Sequence, residues 1–327
     1  MLDAWQEFLH GKKKRKDVAE FSVNLIDNIL LLHQELASKK YKHGDYYAFK
    51  INDPKPRDIH KASVRDRLLH HAIYRILYSF FDQKFIFDSY SCRIDKGTHR
   101  AMNQFRRYCR IISQNHTRTA WVLKCDIKKF FASIDHEILK RILKRQIKDR
   151  DIFWLLENII DSFSANDRIA SSASTPSRND NSVGLPLGNL TSQLLVNIYM
   201  NEFDQFVKRK LKTPYYIRYA DDFVILHESR EYLENILLKV GVFLKIRLKL
   251  SLHPDKVFIK ALASGIDFLG WVHFSHHRVL RNSTKKRMFK RLSKKQSKEA
   301  LASYRGLLGH GDAYKSEQKI FKFIISF

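Results

Sequence analysis

Residues 215–226 read Tyr215-Tyr216-Ile217-Arg218-Tyr219-Ala220-Asp221-Asp222-Phe223-Val224-Ile225-Leu226. Two largely apolar stretches flank Ala220-Asp221-Asp222, and Asp tolerates turn conformations that most residues avoid. The pattern predicts a β-hairpin over 215–226 with acidic side chains at its tip. An Asp-Asp pair at a turn is, by itself, usually a solvated loop. The apolar walls on both sides argue otherwise, because carboxylates at a buried tip repel one another unless a cation sits between them.

A third carboxylate is available. Asp126 closes the apolar run Trp121-Val122-Leu123-Lys124-Cys125, part of a predicted strand over 119–127. Three carboxylates suffice for two Mg²⁺ ions, since Mg²⁺ keeps waters and takes its remaining ligands from substrate phosphates. Hard oxygen ligands favour Mg²⁺, with Mn²⁺ as a substitute, over zinc. Two such ions can activate an attacking hydroxyl and stabilise a leaving pyrophosphate.

Composition narrows the partners. The chain has 327 residues and a formal net charge of +26, with basic residues recurring along its whole length. A long array of phosphates is the natural counter-charge, so nucleic acid is expected, with an anionic membrane surface second. Hydrophobic residues make up 44%, enough for a folded core. The three cysteines, Cys92, Cys109 and Cys125, form no CxxC pair. A zinc knuckle or disulfide framework is therefore not expected, and reduced thiols in a cytoplasmic setting are. No apolar run is long enough to span a bilayer, so no membrane is expected among the partners. The N-terminus does not read as a signal peptide. The Lys12–Lys16 run reads as a phosphate contact or a solvated loop.

Around the hairpin, apolar spacing predicts helices over 18–40, 64–82, 97–115, 136–148, 189–211 and 232–246. Strands are expected over 46–51 and 257–260, and a strand pair over 265–274. Asp53-Pro54-Lys55-Pro56 signals a turn. Asp135 is expected as a helix N-cap rather than a catalytic group. Residues 164–183 are rich in Ser, Asn and Asp without a period, and read as a flexible loop. The last 50 residues read as helical and densely basic, with 13 Lys or Arg from Arg281 to Lys322 against three acids.

In order, Asp126, then Gly188-x-x-x-Ser192-Gln193, then Tyr219-Ala220-Asp221-Asp222, then Phe268-Leu269-Gly270-Trp271 resemble the motifs of the reverse transcriptase family. The resemblance covers about residues 40–275. It implies an α+β right-hand polymerase with fingers, palm and thumb and an antiparallel palm sheet backed by helices. The implied division is a basic N-terminal segment over 1–19, fingers over 20–115 and a first palm part over 116–139. A fingers/palm insertion with the flexible loop follows over 140–183, then a second palm part over 184–275 and a basic helical thumb over 276–327.

The resemblance also implies roles. Asp126, Asp221 and Asp222 become the catalytic metal ligands, with the carbonyl of Ile127 joining them. Phe131 matches the aromatic gate that selects dNTPs; a core aromatic reads the same way. Phe268-Leu269-Gly270-Trp271 resembles the primer grip, although a buried strand looks similar. Arg57 is the candidate phosphate clamp, backed by Lys55 and Arg67, because Arg suits bidentate phosphate contact. Lys256 matches a lysine near the leaving pyrophosphate; a solvated lysine is the competing reading.

Within 184–193, GLPLGNLTSQ, Leu187 and Gln193 stand where most family members carry Gln and Pro. This form, and SYRGLLGHGDAYK over 303–315, resemble the reverse transcriptases of diversity-generating retroelements. That subtype copies a template-repeat RNA into cDNA with errors at adenines, aided by a small, basic, oligomeric accessory variability protein. The implied partners are template RNA, the RNA/cDNA duplex, dNTPs and that protein, in a prokaryotic or phage-encoded setting. Leu187 cannot make the polar contact a Gln offers beside the nascent pair, a contact worth about 0.5–1.5 kcal/mol. Other small prokaryotic reverse transcriptases (retron, group II-like, phage-defence) and a non-enzymatic RNA-binding protein on a degenerate polymerase shell are the competing readings.

Overall fold

The computed structural model describes residues 1–52, 56–163, 183–294, 297–314 and 316–318. Lys55, residues 164–182 of the loop expected over 164–183, and the end of the basic tail lie outside the described residues. The chain divides into two units. One comprises residues 1–87, 127–206 and 241–251, the other 88–126, 207–240 and 252–327.

In the first unit, the N-terminal segment expected as simply basic carries two short helices, α1 (Leu2–Leu9) and α2 (Lys16–Val23). The single helix expected over 18–40 is split, with α3 (Leu25–Ala37) starting after Asn24. Asn24 sits at φ −112°, ψ 41°, outside the helical region, and Asn28 Nδ2 caps the freed Phe21 carbonyl at 3.1 Å. Strands β1 (Tyr47–Ile51) and β2 (Arg57–Lys61) form an antiparallel ribbon. Helix α4 (Val64–Asp82) begins at Ser63, whose hydroxyl accepts from the Asp66 amide. Trp5 and Phe8 of α1 pack with Val18 of α2 and Val64 and Leu68 of α4. Burying each such large side chain stabilises by about 1.5–3 kcal/mol.

The same unit holds α6 (His136–Gln146), α7 (Arg150–Asp161) and α8 (Leu190–Gln205). Asp135 is the N-cap of α6, as expected: its Oδ1 accepts from Ile138 N at 2.9 Å. Helix α7 went unread in the sequence. Helix α8 is buried on nearly every side and packs against α4 and α6, which explains its weak amphipathic pattern. A short π turn (Phe206–Lys210) follows it.

The second unit is built on a four-stranded antiparallel sheet in the order β4 (Tyr216–Tyr219), β5 (Asp222–His227), β3 (Trp121–Asp126), β6 (Phe258–Ala261). One face carries Val122, Val224, Leu226 and Ile217, and these pack on Ala101, Phe105 and Cys109 of α5 (Thr98–Ile112). A second sheet, β7 (Ile266–Phe268), β8 (Trp271–His273) and β9 (Arg278–Leu280), adds Ile266 and Phe268 to that core. Helix α9 (Arg230–Leu248) follows β5. Helices α10 (Asn282–Lys294) and α11 (Lys298–Leu308) close a further core around Trp271, Met288, Leu292 and Leu308. Among the described residues no helix is long and apolar enough to cross a membrane.

Candidate active site

The antiparallel register sets Asp126 of β3 directly opposite Asp222 of β5, and Tyr219 of β4 opposite Asp222 on its other side. Residues directly opposite in a ladder share a face. Asp126 and Asp222 therefore project from the same face as Lys124 and Val224. Ala220 and Asp221 make the two-residue connection between β4 and β5. Ala220 has φ +56°, a left-handed conformation that L residues other than Gly, Asn and Asp rarely adopt.

A buried guanidinium holds this turn. Arg218 is fully buried, and its Nη1 donates to Ala220 O and its Nη2 to Ser89 Oγ, both at 3.1 Å. The segment carrying Ser89 is fixed by backbone bonds, Arg218 N–H to Asp88 O and Tyr90 N–H to Arg218 O, each 2.9 Å. Tyr219 is tied by Thr98, whose hydroxyl donates to the Tyr219 hydroxyl at 3.2 Å.

Two ammonium groups stand at the carboxylates. Lys124, buried in β3, places Nζ 3.0 Å from Asp222 Oδ1. The contact is an ion pair without hydrogen-bond alignment, and Oδ1 is buried without a hydrogen-bond partner. Lys256 Nζ donates to Asp126 Oδ1 at 2.8 Å. A one-turn helix at Pro254–Lys256 delivers it, anchored by His253 N–H to Asp126 O at 2.8 Å. Burial pushes the Asp222 carboxyl up to about 6; Lys124 opposes the rise, and Asp221 and Asp126 add to it.

Among the described residues, no three His, Cys, Asp or Glu side chains already converge on a metal position. The donor chemistry nevertheless fits a hard cation. A buried carboxylate oxygen met by an ammonium but by no hydrogen bond, mutually repelling Asp222, Asp221 and Asp126, and two lysines standing in as cations all suit positive charge there. Burial also pushes the neighbouring Cys125 thiol up, which keeps it a neutral core group.

The strand pair expected over 265–274 is present as β7 and β8, with Phe268 opposite Trp271. Leu269 and Gly270 form its two-residue turn with φ +52° and +86°, both left-handed, as a type I′ hairpin requires. Phe268 is buried in the core that covers the same sheet face from which Asp126 and Asp222 project, and Tyr219, Phe258 and Leu269 border that core. The sheet, the Asp-Asp turn and this hairpin therefore share one apolar support.

In the first unit, Leu187 accepts at its carbonyl from His60 N–H at 2.9 Å, which docks the 184–189 segment on β2. Asn189 braces the same edge, donating from Nδ2 to His60 O at 2.8 Å. Gly188 has φ +115°, and a Cβ there would lie 2.8 Å from Ile59 Cγ2. Phe131 joins this group through its carbonyl, which accepts from Leu185 N–H at 2.8 Å. Gln193 is half-buried in the first turn of α8, and Arg57 is exposed on β2. Ile127, next to Asp126 in the chain, buries its side chain.

Arg67, expected behind the phosphate clamp, is otherwise engaged. Its Nη2 pairs with Asp17 Oδ2 at 2.5 Å and its guanidinium lies over Phe8. Lys61 Nζ binds the same carboxylate oxygen at 2.6 Å. No local sequence signal connects α2 to these cations. Lys124 and Arg218 were also missed. Their signal was a single charge inside an apolar strand, at WVLKCD and YYIRYADD.

A family model described as reverse transcriptase (RNA-dependent DNA polymerase) matches residues 49–273. Protein YkfC of Escherichia coli K12 is 26% identical over 290 residues, covering 78% of this chain and 72% of that protein. The group II intron-encoded protein LtrA of Lactococcus lactis subsp. cremoris is 24% identical, covering 74% of this chain and 47% of that protein. A putative COX1/OXI3 intron 2 protein of Saccharomyces cerevisiae is 22% identical, covering 66% and 30%. The chain thus spans less than half the length of the latter two.

Proposed function

The chain belongs to the reverse transcriptase family, and on that premise we propose that it is an RNA-directed DNA polymerase acting at Asp126, Asp221 and Asp222. The observation that carries this reading is the register that sets Asp126 directly opposite Asp222, whose Oδ1 is buried without a hydrogen-bond partner. Asp126, Asp221 and Asp222, with the Ile127 carbonyl, are the groups that would hold two Mg²⁺ ions, or Mn²⁺ in their place. Bound there, such cations supply charge stabilisation for the attacking 3′-hydroxyl and the departing pyrophosphate.

The chain's own groups do the remaining work. Lys256, which donates to Asp126 at 2.8 Å, would be free to turn to the pyrophosphate once that carboxylate's charge was otherwise balanced. Lys124 keeps Asp222 oriented and offsets its charge from within the sheet. Arg218 fixes the turn that carries Asp221. Arg57, with Lys55, clamps the triphosphate, and Phe131 screens the sugar. The Phe268–Trp271 hairpin supports the primer end. In this reading the palm holds the four-stranded sheet, and α10 and α11 begin the thumb.

The substrate reading is narrower. Leu187 and Gln193 in GLPLGNLTSQ support a polymerase that copies a template-repeat RNA into cDNA with errors at adenines, for a diversity-generating retroelement with an accessory protein. Similarity to LtrA favours a second reading, a group II intron-like enzyme.

Primer extension on RNA with dNTPs and Mg²⁺, with and without a candidate accessory protein, tests the activity. Extension that is lost in Asp221→Asn supports it; RNA binding without extension under every condition sinks it. Sequencing the cDNA tests the subtype. Adenine-directed errors that fall in Leu187→Gln support the retroelement reading, and uniform fidelity at all four bases favours the intron-like one.

A further inference from the structure

Helix α5 carries His99, Asn103, Arg106 and Arg110 at helical spacing on one exposed stripe. Other parts of the second unit converge on it. The His310 ring lies 3.7 Å from His99, and the His276 ring 4.8 Å from His116 just beyond the helix. Arg278 of β9 donates from Nη1 to Asn103 Oδ1 at 3.3 Å and lies over the Trp271 ring.

Two concavities open along this stripe. One, of about 190 Å³, is lined by Arg106, His276, Arg278 and His310 among others. The second, of about 430 Å³, is lined by Arg106, Arg107, Arg110 and Gln114 among others. Arg106 belongs to both, so the two form one groove along a helix about 22 Å long at 1.5 Å per residue.

The groove is cationic without local compensation. Among the described residues, no carboxylate lies within 4.0 Å of the side-chain nitrogens of Arg106, Arg107, Arg110 or Arg278. Asp312 borders the first concavity without pairing to them. Burial and the neighbouring Arg106 lower the Arg278 guanidinium, and burial, His276, Arg110 and Arg106 lower His116. Cations gathered against their mutual repulsion are stabilised by an anion that spans them. Flat rings line the same place, with His277 stacked on Phe274 at 4.9 Å.

We propose that this groove is a binding site for the phosphate backbone of a single-stranded nucleic acid, built from residues distinct from the carboxylate cluster. A positive track beside ring platforms is how single strands are held without sequence preference. Arg106 and Arg110 contact phosphates, and His276 and His277 offer faces to bases. The site does not depend on the polymerase reading, so binding is measured without dNTPs or metal.

The probe is a short fluorescent oligouridylate, followed by anisotropy across a salt series. The double variant Arg106→Gln/Arg110→Gln should bind about tenfold or more weakly. Its salt slope should fall by about 1.4, at about 0.7 per lost single-strand phosphate contact. The control Lys239→Gln/Lys245→Gln removes equal charge from exposed positions of α9 and should change binding far less. Equal losses in both variants, or wild-type affinity in the first, would overturn the proposal. So would a blunt duplex that competes as well as the single strand. Photocrosslinking of thiouridine-bearing RNA to the wild-type protein gives a reading free of folding effects. Crosslinks within 99–116 or 273–278 support the groove, and crosslinks confined elsewhere overturn it.

Discussion

Lys124 and Asp222 sit on adjacent strands, offset by two residues on the same face, with Nζ 3.0 Å from a buried carboxylate oxygen. Both partners are largely withdrawn from water, where a charge is tolerated only with a partner close by. The ammonium is thus an internal counter-ion on the face that Asp126 and Asp222 share.

Lys124→Met should therefore destabilise the metal-free protein by about 1–3 kcal/mol, the cost of leaving Asp222 without its partner. The stabilisation gained on adding Mg²⁺ should grow, because the incoming cation no longer meets a resident one. Thermal unfolding with and without Mg²⁺ reads both effects. An unchanged metal-free midpoint would show that the pair is not structural.

The raised Asp222 carboxyl makes a proton-linkage prediction. Its folded value of about 6 exceeds the ordinary 3.8, so between these values the folded state holds a proton that the unfolded state has lost. Stability from this group is full below about pH 4, falls as pH rises through 6, and is lower by about 3 kcal/mol above it. Divalent cation binding should accordingly release close to one proton at pH 5, about half of one at pH 6, and almost none at pH 8. Calorimetry in buffers of different ionisation enthalpy measures that release. Its persistence in Asp222→Asn would assign the proton elsewhere.

Ala220 sits at φ +56°, a left-handed conformation that a β-branched side chain strongly disfavours. Ala220→Val should cost about 1–3 kcal/mol through backbone strain and displace Asp221, so that primer extension falls more than RNA binding. Ala220→Gly should fold at least as stably as the parent. A valine variant with full stability and activity would mean that the turn is not held as described.

Gly188 combines φ +115° with a Cβ position 2.8 Å from Ile59. Gly188→Ala should loosen the 184–189 segment from β2 and lower stability by about 1–3 kcal/mol. Adding Ile59→Ala removes the collision and leaves the strained φ, so only partial recovery is expected in a double-mutant cycle. Full recovery would assign the whole effect to the collision.

The sheet and its site were legible because their signals are local. The β4–β5 hairpin, Asp126 at a strand end, the β7–β8 pair and the Asp135 cap were each readable from a dozen residues or fewer. Helix α7 and the break at Asn24 were not, since periodicity resolves poorly where a helix is short or an Asn interrupts it without Gly or Pro. The partners of Arg67 and Lys256 were also hidden. Asp17 lies 50 positions from Arg67, and Asp126 lies 130 from Lys256. Only the folded chain decides whether such a cation meets a phosphate or a carboxylate.

Phe268 and Trp271, opposite each other in the β7–β8 pair, are anchored in different cores, one against the sheet face that carries Asp126 and Asp222 and one under α10 and α11. Leu269, at the tip between them, borders both. The hairpin is therefore a rocker with two footings. Were α10 and α11 to shift, Trp271 would be drawn with them while Phe268 stayed with the sheet, and the left-handed turn at Leu269 and Gly270 would have to take up the difference.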